Sequence, residues 1–436
     1  MIKTLSKNFK ARIEKIDLFN LGGSAMLYYL LIFYLAPTLV FLGVASKTML
    51  ANYHINYQAM AYLTIGLAFL MLGYMTPWTV KIAQRIPNVL KQDWDFTRAF
   101  WVLLAVFLGG LVVKIIDIWA GGYSHVTQNP VFVASSFYSL IGLLNWLGYL
   151  ALVIAFIGYF QLKKMGDLRY THWRWLAYGI FAFEICYGLP TCSKFLVIVP
   201  IFLYLVVRSY LIKIEYWRIT LWLMIIILFL FPFGRFCRKD VTLQNYLTVS
   251  DASVKVSGLD SLIGSSFLNR IDQSTIFSKI VESQEPFLHG KSLLNFFVTL
   301  GPPRFIWKDK PLSMNAYGND FGHRMGIVGP SDLKTSIGPT MVGDWYLNFG
   351  ILGIILGMFW MGILFRLIYE YFIKATKTSL SGVFFYSIIW VQIILGMEDW
   401  ISPIYAGLIK LSIIMVIVNF FLLKRKSFKV RSYLWP

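Results

Sequence analysis

The stretch VGDWYLNFGILGIILGMFWMGILF, residues 342–365, is apolar on every face after a polar start at Asp344 and Asn348. A helix rising 1.5 Å per residue needs about 20 such residues to cross a bilayer core. This one is long enough. Runs of the same kind lie near 24–45, 58–79, 99–118, 133–160, 174–190, 194–212, 217–234, 380–397 and 403–423. The chain is 58% hydrophobic and only 14% charged, with a mean hydropathy of +0.64. Soluble domains sit near roughly 45–50% and 25%. The expected fold is all-α: a polytopic membrane bundle of about ten transmembrane helices, with residues 1–436 as one integral membrane domain.

The charge pattern orients the bundle. Net charge is +19, which in a soluble protein points to nucleic acid. Here Lys and Arg cluster instead in alternate connections: Lys3 to Lys15, Lys81 to Arg98, Lys163 to Arg174, Arg208 to Arg218, Arg366 to Lys377, and Lys424 to Arg431. The short connections between them carry only Lys47 and Lys194. Positive residues concentrate on the cytoplasmic side, so both termini are expected there, with no nucleic-acid partner. The amino-terminal tail, MIKTLSKNFKARIEKIDLFN, is too polar for a cleaved signal peptide and reads as a retained cytoplasmic tail.

Residues 235–340, between the seventh and eighth spans, then form one large extracytoplasmic loop. Long ordered connections are where chemistry concentrates. The loop carries twelve Lys or Arg against nine Asp or Glu. Within 259–282 an apolar stripe (Leu262, Ile263, Phe267, Ile271, Ile276, Phe277, Ile280) predicts an amphipathic helix on the bundle's outer rim, with Arg270 on it. Residues 291–301, KSLLNFFVTLG, are apolar but too short to span, which predicts a re-entrant or interfacial helix. Gly301, Pro302 and Pro303 end it, and Arg304 follows.

Lys308, Lys310, His323, Arg324 and Lys334 come next, before Asp344. Cations gathered at an apolar boundary suit a phosphate or pyrophosphate, since Arg offers a planar fork and Lys a point charge. The plainer alternative is that they pair with the loop's own acids. The run EPFLHGKS at 285–292 ends like a phosphate-binding loop but has Glu285 where the first glycine belongs, and no strand precedes it.

Within the spans, Lys114 and Asp117 stand one turn apart and are expected to neutralise each other. Glu184 and Lys410 are the other intramembrane charges; Lys410 has Glu398 and Asp399 near enough to pair with, or it lines a cavity. The three cysteines, Cys186, Cys192 and Cys237, form no CxxC pair, so zinc and iron–sulfur chemistry are not expected. A Cys192–Cys237 disulfide and free thiols both remain open. No histidine lies inside a span, which argues against a membrane-bound O-acyltransferase, and the connection after the first span lacks the paired acids of a metal-dependent lipid-linked glycosyltransferase; no metal or other cofactor is expected.

The segments RIDQS (270–274), LHGKSLL (288–294), GPPRFIWKDKP (301–311) and TSIGPTMVGDWYLNFGILGIILGMFWMG (335–362), set in this frame, resemble the Wzy-type polysaccharide (O-antigen) polymerases. Pro303, Arg304, Trp307, Lys310 and Pro311 match that family's elbow; Asp344, Asn348, Phe349, Gly350 and Gly353 match its start of the next helix. Asp344 stands where the family often has Glu.

The resemblance implies an enzyme of the bacterial inner membrane with its large loop in the periplasm. It would join oligosaccharide repeat units carried on undecaprenyl pyrophosphate, both donor and acceptor being lipid-linked, with a chain-length regulator as a further partner. On that basis Arg304 and Arg270 are expected to hold the pyrophosphate leaving group, supported by Lys310, Arg324, Lys308 and Lys334. His323 is the first candidate for the base on the acceptor hydroxyl and Asp344 the second. Trp307, Tyr317 and Trp345 are candidates for stacking on sugar rings. An O-antigen ligase shares the same donor chemistry; a polysaccharide flippase would instead show inverted repeats, which are not visible here.

Overall fold

The computed structural model describes residues 17–43, 54–87, 90, 92–120, 138–189, 194–212, 271–283, 285–302, 306–307, 309–311, 318–327, 337–374 and 379–424. Their regular structure is helical. In chain order the helices are α1 (Leu21–Phe41), α2 (Tyr57–Met75), α3 (Trp78–Arg85), α4 (Phe96–Trp119), α5 (Tyr138–Leu144), α6 (Trp146–Met165) and α7 (Tyr170–Gly188). They continue with α8 (Lys194–Leu211), α9 (Ser274–Glu282), α10 (Lys291–Leu300), α11 (Gly318–Arg324), α12 (Thr340–Tyr369), α13 (Leu380–Gly396) and α14 (Ile401–Leu422). A π turn at Glu370–Lys374 extends α12.

Six segments among the described residues are long and apolar enough to cross a membrane: Leu21–Phe41, Tyr57–Met75, Phe96–Trp119, Leu140–Met165, Thr340–Lys374 and Ile401–Leu422. Phe195–Leu211 and Leu380–Gly396 are shorter apolar helices. The protein is therefore a polytopic helical membrane protein. The expected span at 217–234 lies outside the described residues, as does 235–270 of the loop. The run expected as one helix over 133–160 divides at Asn145 into α5 and α6, and α6 continues to Met165.

Burial separates the central helices from the outer ones. Every residue of α6 from Gly148 to Phe160 is buried, and α13 is buried continuously from Ser381 to Val391. A helix apolar on all sides belongs in a bundle's centre. Elsewhere the exposed rows are apolar and recur every three or four residues, as with Leu108, Val112, Ile115 and Trp119 on α4 and Ile409, Ile413, Val416 and Phe420 on α14. Such rows suit lipid as solvent. The intimate crossing of α2 on α12 depends on small residues: a methyl at Gly73 would lie 2.0 Å from the Phe359 carbonyl oxygen, and one at Gly362 would lie 2.2 Å from that of Leu70. Backbones approach this closely where Gly lets them.

The intramembrane charges pair differently from the local expectation. Lys114 on α4 reaches Glu184 on α7 at 2.8 Å, with both side chains buried. Asp117 instead accepts a hydrogen bond from the Tyr187 hydroxyl at 3.0 Å. Lys114 also lies 4.9 Å from the Tyr187 ring centre. Gly148 on α6 makes the space, since a methyl there would meet the Glu184 Oε1 at 2.2 Å. The pairing neutralises both charges and ties α4 to α7, while the buried Glu184 Oε2 has no hydrogen-bond partner among the described residues.

Part of the amphipathic stripe expected at 259–282 is helical as α9, and it sits deeper than a rim. Phe277 is fully buried, its ring 6.5 Å from Phe33 and 5.9 Å from Tyr346. The Gln273 N–H donates to the carbonyl of Ile32, in the middle of α1, at 2.9 Å. At the other end of α9, Glu282 pairs with His54 at 2.7 Å and accepts from Asn56. Cys186 is a free, exposed thiol; Cys192 and Cys237 lie outside the described residues.

Candidate functional site

The site is organised by a break in α12. Phe349 (φ −141°, ψ 16°) and Gly350 (φ +61°, ψ −147°) leave helical geometry inside an otherwise continuous helix. The Gly350 conformation is essentially closed to residues with a Cβ. A methyl there would also meet the Phe287 ring at 3.1 Å. Carbonyls near such a break need donors, because lipid supplies none. The Leu347 oxygen accepts from the Leu288 N–H at 2.8 Å and the Asn348 oxygen from the His289 N–H at 3.2 Å. The loop segment before α10 is thus bonded onto the break.

His289 (φ +47°) and Gly290 (φ +87°) then turn the chain into α10. This short helix is the one expected at 291–301. Its exposed face is apolar (Leu294, Phe297), and it packs along α14. Ser292, in its first turn, donates to Asp344 Oδ1 at 2.5 Å. Asn348, one turn after Asp344 on α12, donates to the same carboxylate oxygen at 3.0 Å. The second carboxylate oxygen accepts from the Ile401 N–H at 2.9 Å, at the first residue of α14.

Trp400, the N-cap of α14, supplies no side-chain cap. Asp344 therefore caps α14 from another helix and fixes the start of α10 through Ser292. It is fully buried. Carboxylates are favoured at helix N-termini by the peptide dipoles and unpaired N–H groups.

The other end of α10 is held by cations. Lys310 donates to the carbonyls of Gly301 and Pro302 at 3.0 Å each. Lys410 of α14 donates to the Thr299 carbonyl at 2.5 Å, and does not pair with Glu398 or Asp399. Ten helical residues separate the two ends by about 15 Å.

Beside Ser292 lies a cavity of about 230 Å³ bounded by Glu285, Lys291, Phe321, Arg324, Leu347 and Trp400, among others. Arg324 sits between two acids, Glu285 at 2.9 Å and Asp320 at 3.2 Å. His323, its neighbour on α11, has a buried Nε2 with no hydrogen-bond partner among the described residues. A larger, apolar cavity of about 370 Å³ also borders α10, with Phe296, Trp345, Trp360 and Tyr405 in its wall.

Of the residues expected at the site, the structure gathers Asp344 and Arg324 around the start of α10 and places Lys310 at its end. Trp345 lines the apolar cavity, and Trp307 packs near Gly301. Arg270, Arg304, Lys308, Tyr317 and Lys334 lie outside the described residues. Ser292, Glu285, Lys291 and Trp400 join the site without having been singled out for it. Among the described residues no three His, Cys, Asp or Glu side chains converge as metal ligands do.

A protein-family model described as "Putative O-antigen polymerase" matches residues 25–405, most of the chain. No curated protein and no solved structure matches it.

Proposed function

The chain belongs to the O-antigen polymerase family, and from that premise we propose that it polymerises undecaprenyl-pyrophosphate-linked repeat units at the outer leaflet of a bacterial inner membrane. In this reaction a sugar hydroxyl of the incoming lipid-linked unit attacks the anomeric carbon at the reducing end of the growing chain. A new glycosidic C–O bond forms as the bond to the lipid pyrophosphate breaks. The pyrophosphate leaves with the bonding pair, and the hydroxyl proton passes to a base. Both termini are cytoplasmic and the 235–340 loop is periplasmic, as the distribution of Lys and Arg supports.

The observation that carries the proposal is the family match, which spans the helix break, α10 and the cavity beside it. The apolar cavity next to α10 suits a lipid-linked substrate. Negative charge grows on the pyrophosphate in the transition state, so the family resemblance assigns Arg304 and Arg270 to it, with Lys308, Lys310 and Lys334 nearby in sequence. His323 is favoured as base over Asp344. Its Nε2 is unpartnered among the described residues, whereas both carboxylate oxygens of Asp344 are already engaged.

One positioned donor is worth about 3–4 kcal/mol, or 10² to 10³ in turnover. Arg304→Ala should therefore leave the protein inserted while polymer ladders vanish and single lipid-linked units accumulate. Long chains made by that variant from purified lipid-linked substrate would overturn the assignment. Activity should persist in excess EDTA, and strict dependence on a divalent metal would rule out leaving-group stabilisation by Arg and Lys alone.

A further inference from the structure

We propose that the cavity bounded by Glu285, Lys291, Phe321, Arg324, Leu347 and Trp400 is a subsite for one sugar ring of the oligosaccharide, separate from the pyrophosphate site. This rests on the polymerase reading and narrows it, by assigning the cavity to the sugar rather than to the pyrophosphate.

Charge decides first. Among the described residues the cations lining the cavity are Lys291 and Arg324, and Arg324 is held between Glu285 and Asp320 at 2.9 and 3.2 Å. Counting these four side chains, positive and negative charges balance. A pyrophosphate needs an excess of fixed positive charge, and binding it here would place it against Glu285. A neutral, polyhydroxylated ligand meets no such opposition. Paired carboxylate and guanidinium groups offer it both acceptors and donors.

The wall chemistry agrees. Phe321 and Trp400 meet edge to face, with ring centres 5.5 Å apart. Leu347 and Met325 add apolar surface. A pyranose has C–H faces as well as a hydroxyl rim, so it needs aromatic and aliphatic surface together with a few directed polar groups. The volume, about 230 Å³, is below the roughly 300 Å³ where drug-sized sites begin. It suits one ring rather than a whole repeat unit.

A second observation points to a ligand. Trp400 is 2% exposed and lines the cavity, yet its indole Nε1 has no hydrogen-bond partner among the described residues. Buried Trp N–H groups ordinarily find an acceptor. A sugar hydroxyl or ring oxygen supplies one.

The position is also useful. Asp344 and Ser292 fix the start of α10, and Ser292 borders the cavity. A sugar bound here would be held at the first end of this ten-residue helix, about 15 Å along it from Gly301.

The test uses the full chain purified in detergent and ligand-observed NMR. The probe is the oligosaccharide released by mild acid from lipid-linked intermediates of the source cells, with sodium pyrophosphate as competitor. Trp400→Phe keeps an aromatic ring but loses the N–H with the pyrrole half of the indole; Glu285→Gln removes one charge of the Arg324 pair. Each should weaken oligosaccharide binding about fivefold or more while melting as the wild type does, and equimolar pyrophosphate should not displace the sugar.

Absence of binding to the wild type would overturn the subsite. So would unchanged binding in both folded variants, or displacement by pyrophosphate. Ladder formation from purified lipid-linked units is scored in parallel. A wild type that binds sugar through these residues but makes no polymer refutes the polymerase reading and leaves the subsite standing. A wild type that polymerises while both variants bind sugar normally does the reverse.

Discussion

Replacing Asp344 separates a structural clasp from a catalytic base. Its carboxylate accepts from the Ser292 hydroxyl, the Asn348 amide and the Ile401 N–H, and the residue is fully buried. Hydrogen bonds to a charged group are worth about 1.5–3 kcal/mol each, though bonds that share one group do not add fully. Asp344→Ala leaves the Ile401 N–H unpaired at the start of α14 and frees the start of α10. The cost should be about 3–5 kcal/mol.

Asp344→Asn keeps the shape. Its one oxygen can serve Ile401 and its amide can donate to the Ser292 hydroxyl, while the Asn348 amide loses one of its acceptors. That change should cost about 1–2 kcal/mol, mainly the charge-assisted part. Unfolding free energies in mixed micelles, set against ladder formation from the same preparations, measure both effects. The clasp predicts that the Asn variant polymerises in proportion to its folded fraction. An Asn variant as stable as wild type yet inactive would refute it and restore Asp344 as the base. So would an Ala variant within about 1 kcal/mol of wild type.

Gly350→Ala places a Cβ at φ +61° and 3.1 Å from Phe287; it should destabilise by about 1–3 kcal/mol, and an unchanged unfolding midpoint would refute the break as described. For the buried Lys114–Glu184 pair, Lys114→Met or Glu184→Leu alone should cost about 3–5 kcal/mol, and the double variant far less; a mutant cycle showing no coupling would show that the pair does not act as a unit. His54 and Asn56 hold the Glu282 carboxyl below its usual 4.5. Its folded form thus binds a proton less tightly than the unfolded chain does. The stabilisation it lends is complete above pH 4.5 and is lost as pH falls through the lower folded value. Hydrogen exchange at the start of α2 should rise over that fall in the wild type but not in Glu282→Gln; parallel curves would refute the linkage.

The sequence discloses the bundle because continuous apolar runs need no partner to be read. The start of α12 was also legible, since Asp344 and Asn348 fall one turn apart ahead of an apolar helix. Their partners were not. Ser292 is 52 residues away and Ile401 is 57, and nothing local connects them. Lys114 shows the same limit from the other direction. A helix-neighbour rule offers Asp117, but the fold brings Glu184, 70 residues on, to 2.8 Å. Intramembrane charges choose partners by which helices pack, and that is decided by Gly148 and its kind rather than by spacing along one helix.

The loop's cations illustrate why their number overstates the capacity to bind anions. A ten-residue helix in low-dielectric surroundings presents unpaired N–H groups at one end and unpaired carbonyls at the other. The carbonyl end of α10 is met by Lys310 and Lys410; at its first end Ser292 ties the helix to Asp344 through its hydroxyl. Arg324 is likewise engaged, with Glu285 and Asp320. Two loop cations expected at a phosphate, Lys310 and Arg324, therefore have carbonyls or carboxylates as partners. Under the proposed reaction, leaving-group stabilisation then falls to the remaining loop cations, Arg304 and Arg270 foremost.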